Sequence, residues 1–281
     1  MKKLILLIVA SLFMMTAAVS KGKEKQAEMK VMSYNIRLGV ANDGTNSWRY
    51  RAPATEAMLK AQKPDVFGVQ EAYDFQIEYI EEYCRDYKSV GVGRDDGKKE
   101  GEYMSIFWNK KTVSCLKWGT FWLSETPEEP SLGWDAACRR TATWALMKDK
   151  KTGRKFYFVN THLDHVGKLA QKNGLKLIVD RIDSINPEGY PMVLTGDFNI
   201  KPDNEALREL DSKMQSTREI AQKTDRNNTF NGWSVKKTDN IIDYIYMSGF
   251  SACLQYKTVT EKYAGKPFVS DHYPIFAILV F

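Results

Sequence analysis

Histidine is scarce in this chain, with only His162, His165 and His272 among 281 residues. No His-Glu-x-x-His spacing occurs, so a zinc centre of the metalloprotease kind has no frame to build on. The four cysteines (Cys84, Cys115, Cys138, Cys253) match no zinc-ligand spacing either, and a domain of this length does not need disulfide staples. They read as structural residues, free or incidentally paired if the compartment is oxidising. No internal repeat or low-complexity tract is visible. With 43% hydrophobic and 27% charged residues, disorder is excluded and a packed core is affordable.

Long apolar runs are also missing, except at the start. Leu4 to Val19 follows the basic Met1-Lys2-Lys3, and falls short of the roughly 20 residues that span a bilayer. Thr16-Ala17-Ala18 or Ala18-Val19-Ser20 offers small residues for cleavage. The expected organisation is a signal peptide over 1–20, a polar linker over 21–28 and one domain over 29–281. The first cysteine is Cys84, so lipid attachment is not indicated. The expected location is secreted or periplasmic, as a monomer with no stable membrane insertion after cleavage. Charge of one sign is modest as well. The formal +6 loses two with Lys2 and Lys3, which suits an anionic substrate and is no nucleic-acid signature.

What the chain does have is a recurring arrangement: apolar β-type runs that end on polar residues. In Pro191 to Ile200, Met192-Val193-Leu194 leads to Asp197 and Asn199, which face one side of an extended chain. Gly-Asp-x-Asn is also an ordinary turn signal, so this stretch alone leaves turn and site open. Asn35, Glu71 and His162 end similar runs, Asp243 interrupts one, and Asp271-His272 precedes the last. Buried strand-end charges are costly without partners, and so many together argue for a site. Asn35, Glu71, Asp197, Asn199 and Asp271 are all oxygen donors, a set that favours Mg²⁺ or Mn²⁺ over zinc. A histidine oriented by a carboxylate moves protons near neutral pH.

The pattern predicts an α+β fold of two packed, mostly antiparallel β-sheets flanked by helices. Helices are expected over about Pro53–Gln62, Asp74–Tyr87, Lys168–Ile185 and Asp203–Leu210, with a mobile, charged loop over Gly93–Gly101. Trp48, Trp122, Trp134 and Trp233 fall in expected loops, available for stacking on bases or sugars or packed in the core.

Six motifs in order carry a resemblance: Ser-Tyr-Asn-Ile-Arg (Ser33 to Arg37), Val-Gln-Glu (Val69 to Glu71), Asn-Thr-His-Leu-Asp (Asn160 to Asp164), Gly-Asp-Phe-Asn (Gly196 to Asn199), Ile-Asp-Tyr-Ile (Ile242 to Ile245) and Ser-Asp-His-Tyr-Pro (Ser270 to Pro274). The chain resembles the endonuclease/exonuclease/phosphatase superfamily of metal-dependent phosphoesterases, DNase I-like in fold, and a bacterial branch of undefined substrate. The resemblance implies a four-layer sandwich and hydrolysis of phosphodiester, or phosphomonoester, bonds by in-line attack of water. It implies Glu71 as principal ligand of Mg²⁺ or Mn²⁺ with Asn35 and Asp271 beside it. His162, Asp197, Asn199, Asp243 and His272 are implied as catalytic, with Arg140 and Asp164 on the substrate side. Two departures stand out. Some nucleases carry an acid where this chain has Arg37, and no long basic insertion for gripping duplex DNA is present. Nucleic acid, nucleotide, phospholipid headgroup and sugar phosphate all remain open as substrates. Competing readings are a nuclease on RNA or DNA, a non-catalytic binding module on the same fold, and a zinc hydrolase using His162, Asp164 and His165.

Overall fold

The computed structural model describes residues 27–281; the expected signal peptide and nearly all of the polar linker lie outside the described residues. In the first half, β1 (Glu28–Asn35) leads through α1 (Trp48–Gln62) to β2 (Val66–Gln70), and α2 (Asp74–Tyr83) leads to β3 (Tyr87–Val90) and β4 (Ile106–Asn109). The second half opens with β5 (Val113–Trp122), β6 (Thr141–Asp149) and β7 (Lys155–His162), and crosses by α3 (Lys168–Ile185) to β8 (Met192–Asp197). Then come α4 (Leu207–Lys213), β9 (Gln215–Ser216), α5 (Thr217–Ile220), β10 (Asp243–Ser248), β11 (Ala252–Thr258) and β12 (Ile275–Val280).

The strands form two six-stranded sheets, ordered β11-β12-β1-β2-β4-β3 and β5-β6-β7-β8-β10-β9. Each sheet has one parallel pair at its centre, β1–β2 in one and β7–β8 in the other, and every other pairing is antiparallel. The parallel pairs need crossover connections, which α1 and α3 provide. The two halves therefore repeat one plan, and the carboxyl ends of both central pairs come out at the same edge of the sandwich.

Period-two alternation sorts each strand into two faces. Val31, Val66, Ile106, Phe156, Phe158, Val193, Ile245 and Ala277 pack between the sheets. The opposite faces bury Met32, Tyr34, Phe67 and Val69 under α1 and α2, and Val159, Leu194 and Tyr246 under α3 and α4. Each such side chain contributes about 1.5–3 kcal/mol relative to exposure. The expected two-sheet sandwich with outer helices is what forms.

Toward the shared edge, the inward-facing positions turn polar. In β1, Met29 and Val31 give way to Ser33 and Asn35. In β7, Phe156 and Phe158 give way to Asn160 and His162, and in β8, Val193 gives way to Thr195 and Asp197. All six polar residues are buried.

Several local expectations shift. Helix α1 starts at Trp48 rather than Pro53, with Pro53 inside it. The carbonyl that loses its donor there belongs to Arg49, an exposed residue, so water can replace the missing N–H. Helix α2 stops at Tyr83, and its first turn is closed by the Gln76 side chain accepting the Tyr73 N–H at 3.1 Å rather than by Asp74 as cap. The loop over Gly93–Gly101 is a tied hairpin: Arg94 N–H donates to Glu102 O and Asp95 N–H to Glu100 O, both at 3.0 Å. Its charged side chains had suggested a loose loop, but the backbone satisfies itself. The start of α3 is fastened by Asp135, whose carboxylate accepts the Ala170 N–H at 2.7 Å. All four cysteines are free. Among the described residues, no helix is long and apolar enough to cross a membrane.

Candidate active site

The polar edge is built on backbone that turns sharply as each central strand ends. Arg37, Glu71 and Asn199 have φ of 59°, 63° and 53°, in the left-handed region that non-glycine residues rarely occupy. Holding Arg and Glu there costs about 1–3 kcal/mol each. The return is direction. Glu71 is swung from the end of β2 toward Asn35, and Asn199 is swung back so that its N–H donates to Asp197 Oδ1 at 2.9 Å.

Asn35 sits at the centre. Its Nδ2 donates to Glu71 Oε1 at 2.9 Å and to Asp197 Oδ2 at 3.0 Å, while its Oδ1 accepts the Arg37 N–H at 3.0 Å. In this rotamer Asn35 bridges two acids through its amide nitrogen instead of presenting its oxygen to a cation. Leu38 N–H fixes the other Glu71 oxygen at 3.0 Å. Asp271 Oδ2 lies 3.6 Å from Arg37 Nε, and Arg37 is itself held by Asp43 at 3.1 Å.

Two histidines approach the same oxygen of Asp197, Oδ2. His272 Nδ1 donates to Asp243 Oδ2 at 2.9 Å, and its Nε2 lies 3.7 Å from Asp197 Oδ2. Burial opposes the charged imidazole, but Asp243 and Asp197 outweigh it and raise His272 to about 10. Burial and the Asp243 charge together push the Asp197 carboxyl up to about 7, against the pull of His272. His162 behaves differently. Burial, aided by Arg140 and Arg94, holds it well below the usual histidine range, so it is neutral. Its Nε2 is 3.0 Å from Asn199 Nδ2 and 3.5 Å from Asp197 Oδ2.

On the far wall, Arg140 donates through Nε to Asp164 Oδ1 at 3.4 Å and contacts His165 Nδ1 through Nη2 at 3.0 Å. Its Nη1 is buried with no partner among the described residues, a donor open to an acceptor oxygen. Asp164 is buried. Burial resists its ionisation, but the N–H groups of Gly167, Val166 and Ala137, with Arg140, hold its carboxyl down to about 2. Its oxygens are spent on the loop and on Arg140, so the geometry makes Asp164 a positioning residue rather than a substrate contact.

The residues that sequence reasoning singled out thus converge on one cleft of about 470 Å³, with Glu71, Asp197, Asn199, Asp271, His162, His272 and Arg140 on its wall. Asp243 stands behind His272, and Asn35 lies beneath the acids. Arg94 and Glu102 also line the cleft and were missed. They pair at 2.7 Å, and Glu102 Oε2 approaches the unpartnered His162 Nδ1 at 4.0 Å. Their signal was hidden in a loop dense with ordinary charges. The trio proposed for zinc does not assemble: His162 groups with Glu71 and Asp197, whereas His165 groups with Asp164 and Cys138, where Arg140 already sits. Of the four tryptophans expected in loops, Trp48 opens α1 and Trp122 ends β5, both buried, and none of the four lines the cleft.

A hard divalent cation fits this donor set. Glu71, His162 and Asp197 offer ligand atoms within 4.8 Å of one another. Burial pushes the Asp271 and Asp197 carboxyls up, with the Glu71 charge adding at Asp271 and the Asp243 charge at Asp197, and a bound cation would favour their ionised forms. The oxygen-rich donors suit Mg²⁺ or Mn²⁺.

A two-sheet sandwich with acids, amides and paired histidines at the edge where both parallel pairs end defines a phosphoesterase-type fold and site. The chain belongs to the Endonuclease/Exonuclease/phosphatase family, whose model matches residues 32–272. A family protein from Bacteroides thetaiotaomicron is 33% identical, with a TM-score of 0.88 over 92% of this chain and 99% of that one. A mannosyl-6-phosphatase from Bacteroides thetaiotaomicron is also 33% identical, with a TM-score of 0.87 over 90% of this chain and all (100%) of that one. Truncated Caenorhabditis elegans TDP2, at 20% identity and a TM-score of 0.70 over 90% of this chain and 98% of its own, shares the fold.

Proposed function

We propose that this protein is a hydrolase of phosphoric esters, dependent on Mg²⁺ or Mn²⁺, that directs water in line at the phosphate of a small substrate. The carrying observation is the pair Asp197 and His272, set 3.7 Å apart with the acid raised to about 7 and the imidazole to about 10. Near neutral pH the acid is poised to accept a proton while the imidazole already carries one. Asp197 is therefore the base for the attacking water, its other oxygen pinned by the Asn199 N–H. His272, charged and backed by Asp243, donates to a phosphoryl oxygen. The open Nη1 of Arg140 supplies a further donor toward the phosphate, while neutral His162, accepting the Asn199 amide, shapes the wall beside it. A bound cation, held by Glu71 and Asp271 with Asp197 nearby, would neutralise charge on the phosphoryl group.

The mannosyl-6-phosphatase likeness supports placing sugar phosphomonoesters first, ahead of the diesters that the motifs suggested. The apolar segment at the N-terminus supports export, which N-terminal sequencing of protein from its native compartment tests. The decisive experiment is a substrate panel with Mg²⁺ or Mn²⁺: sugar phosphates, p-nitrophenyl phosphate, bis-p-nitrophenyl phosphate, RNA, DNA and phospholipids. Cation-dependent turnover that collapses in His272→Ala is expected. No turnover on any member, or a folded His272→Ala with near-normal rate, overturns the reading.

A further inference from the structure

The hydrolytic cleft does not end at Arg94 and Cys138. Beyond them lies a second hollow of about 390 Å³, lined by Arg94, Asp95, Leu132, Ala137, Cys138 and Arg139. Arg94 and Cys138 line both spaces, so the two are adjoining compartments. Consecutive arginines divide between them, because neighbours on an extended strand approach point to opposite sides. Arg140 lines the hydrolytic cleft, and Arg139 lines the annex.

We propose that the annex is an anion-binding subsite, which takes a phosphate or carboxylate of the substrate other than the phosphate being hydrolysed. Three observations carry this. First, two guanidinium groups border one small hollow, and the Nε of each is buried without a partner. Second, each guanidinium has an acidic partner that engages only one of its nitrogens. Arg139 has Asp95 at 3.7 Å, beyond hydrogen-bond distance, and Arg94 is held by Glu102 through Nη1 alone, at 2.7 Å. Buried donors left open in this way call for an acceptor, and forked guanidinium groups match the planar or tetrahedral oxygens of carboxylate and phosphate.

Third, the wall is preformed. The hairpin that carries Arg94 and Asp95 is closed by its own backbone bonds, and Trp122 Nε1 donates to Arg94 O at 2.7 Å. Arg139 lines the annex while keeping 41% of its side chain accessible, so a ligand from solvent can meet it. The subsite thus selects substrates with two anionic groups, one over the acids and histidines and one between the arginines.

This inference rests on the hydrolase reading, and its test separates the two. Rates of phosphate release with Mg²⁺ would be compared for fructose 6-phosphate against fructose 1,6-bisphosphate, and for glucose 6-phosphate against 6-phosphogluconate. The second member of each pair should be preferred, the first pair testing a second phosphate and the other a carboxylate. Arg139→Gln should lower kcat/KM for the preferred member on the order of tenfold, the value of one charge-assisted hydrogen bond. It should leave the member with one anionic group within about twofold. Calorimetric binding of the same four compounds to His272→Ala with Mg²⁺ decides the question even if none turns over, because the subsite acts on binding. Failure of all four to react with the Arg139 effect on binding intact sinks only the hydrolase reading. Equal binding within each pair, or an Arg139→Gln effect of the same size on both members, overturns the subsite.

Discussion

A Cβ placed on Gly68 would stand 2.3 Å from Asn160 Oδ1, closer than any real side chain tolerates. Gly68 faces inward from β2, and the space its missing side chain leaves is filled by Asn160 from the opposite sheet. Asn160 donates to Val69 O at 2.8 Å and Ser105 O at 3.1 Å, and accepts from Gln70 Nε2 at 2.6 Å and Thr195 Oγ1 at 3.1 Å. This polar layer lies directly under the cleft and joins the two sheets there. Gly68→Ala should force Asn160 aside, and overpacking alone costs about 1–3 kcal/mol. Denaturant unfolding should show that loss, with kcat falling as Glu71 and Asp197 lose their common footing. An alanine variant as stable as the parent would show that Asn160 does not depend on this gap.

Arg51 is wholly buried, yet among the described residues no carboxylate pairs with it. Its Nη1 donates to Ile36 O at 2.9 Å and Val269 O at 2.7 Å, and its Nε donates to Asn46 O at 2.6 Å. Trp48 and Trp233 lie across its guanidinium at 5.5 and 5.3 Å. One side chain thereby clamps the loop after Asn35 to the loop before Asp271. Arg51→Met should leave carbonyls unsatisfied at about 1–3 kcal/mol each, so a loss of several kcal/mol is expected in denaturant unfolding. Calorimetric titration of the refolded variant with Mn²⁺ should also show weaker binding. Unchanged Mn²⁺ affinity in a destabilised variant would confine Arg51 to the core.

The pair Asp197 and His272 sets the expected pH–rate profile. Activity should rise as Asp197 ionises, through about 7 or somewhat lower once a cation is bound, and should hold until His272 deprotonates, near about 10. Asp197→Asn should remove the acid limb and lower kcat by about 10²–10⁴-fold. Should the limb persist in that variant, some other group takes the proton of the attacking water.

Much of this is legible in the amino-acid sequence. The alternation of apolar and polar residues placed the strands, and the polar residues at their ends marked the edge where Asn35, Glu71, His162, Asp197 and His272 meet. What stayed hidden depends on partners far along the chain. Arg51 reads as one charged residue in the approach to a helix until Val269 is folded against it, 218 positions away. Glu102 and Arg94 sit among so many charges that local pattern cannot single them out. Strand β11 was not foreseen because its residues, Ala252–Thr258, alternate weakly and are held by their pairing with β12.

Cation binding should couple to pH in a direction the acids dictate. The Asp197 carboxyl is raised to about 7 and that of Asp271 is raised as well. An acid whose folded pKa exceeds its unfolded value makes folding take up protons, so its contribution to stability declines as pH rises from about 4 to about 7. A divalent cation binds the ionised acids, and so acts most strongly where that decline is complete. Saturating Mg²⁺ or Mn²⁺ should raise Tm by about 5 °C or more near pH 7.5, as expected at about a hundred times Kd. Near pH 5 the rise should be much smaller, because protons compete for the same oxygens. Glu71→Gln should reduce the shift at the higher pH, and EDTA should reverse it in the parent protein. Thermal unfolding monitored by circular dichroism reads all of these, and an equal shift at both pH values would mean that the cation binds away from Asp197 and Asp271.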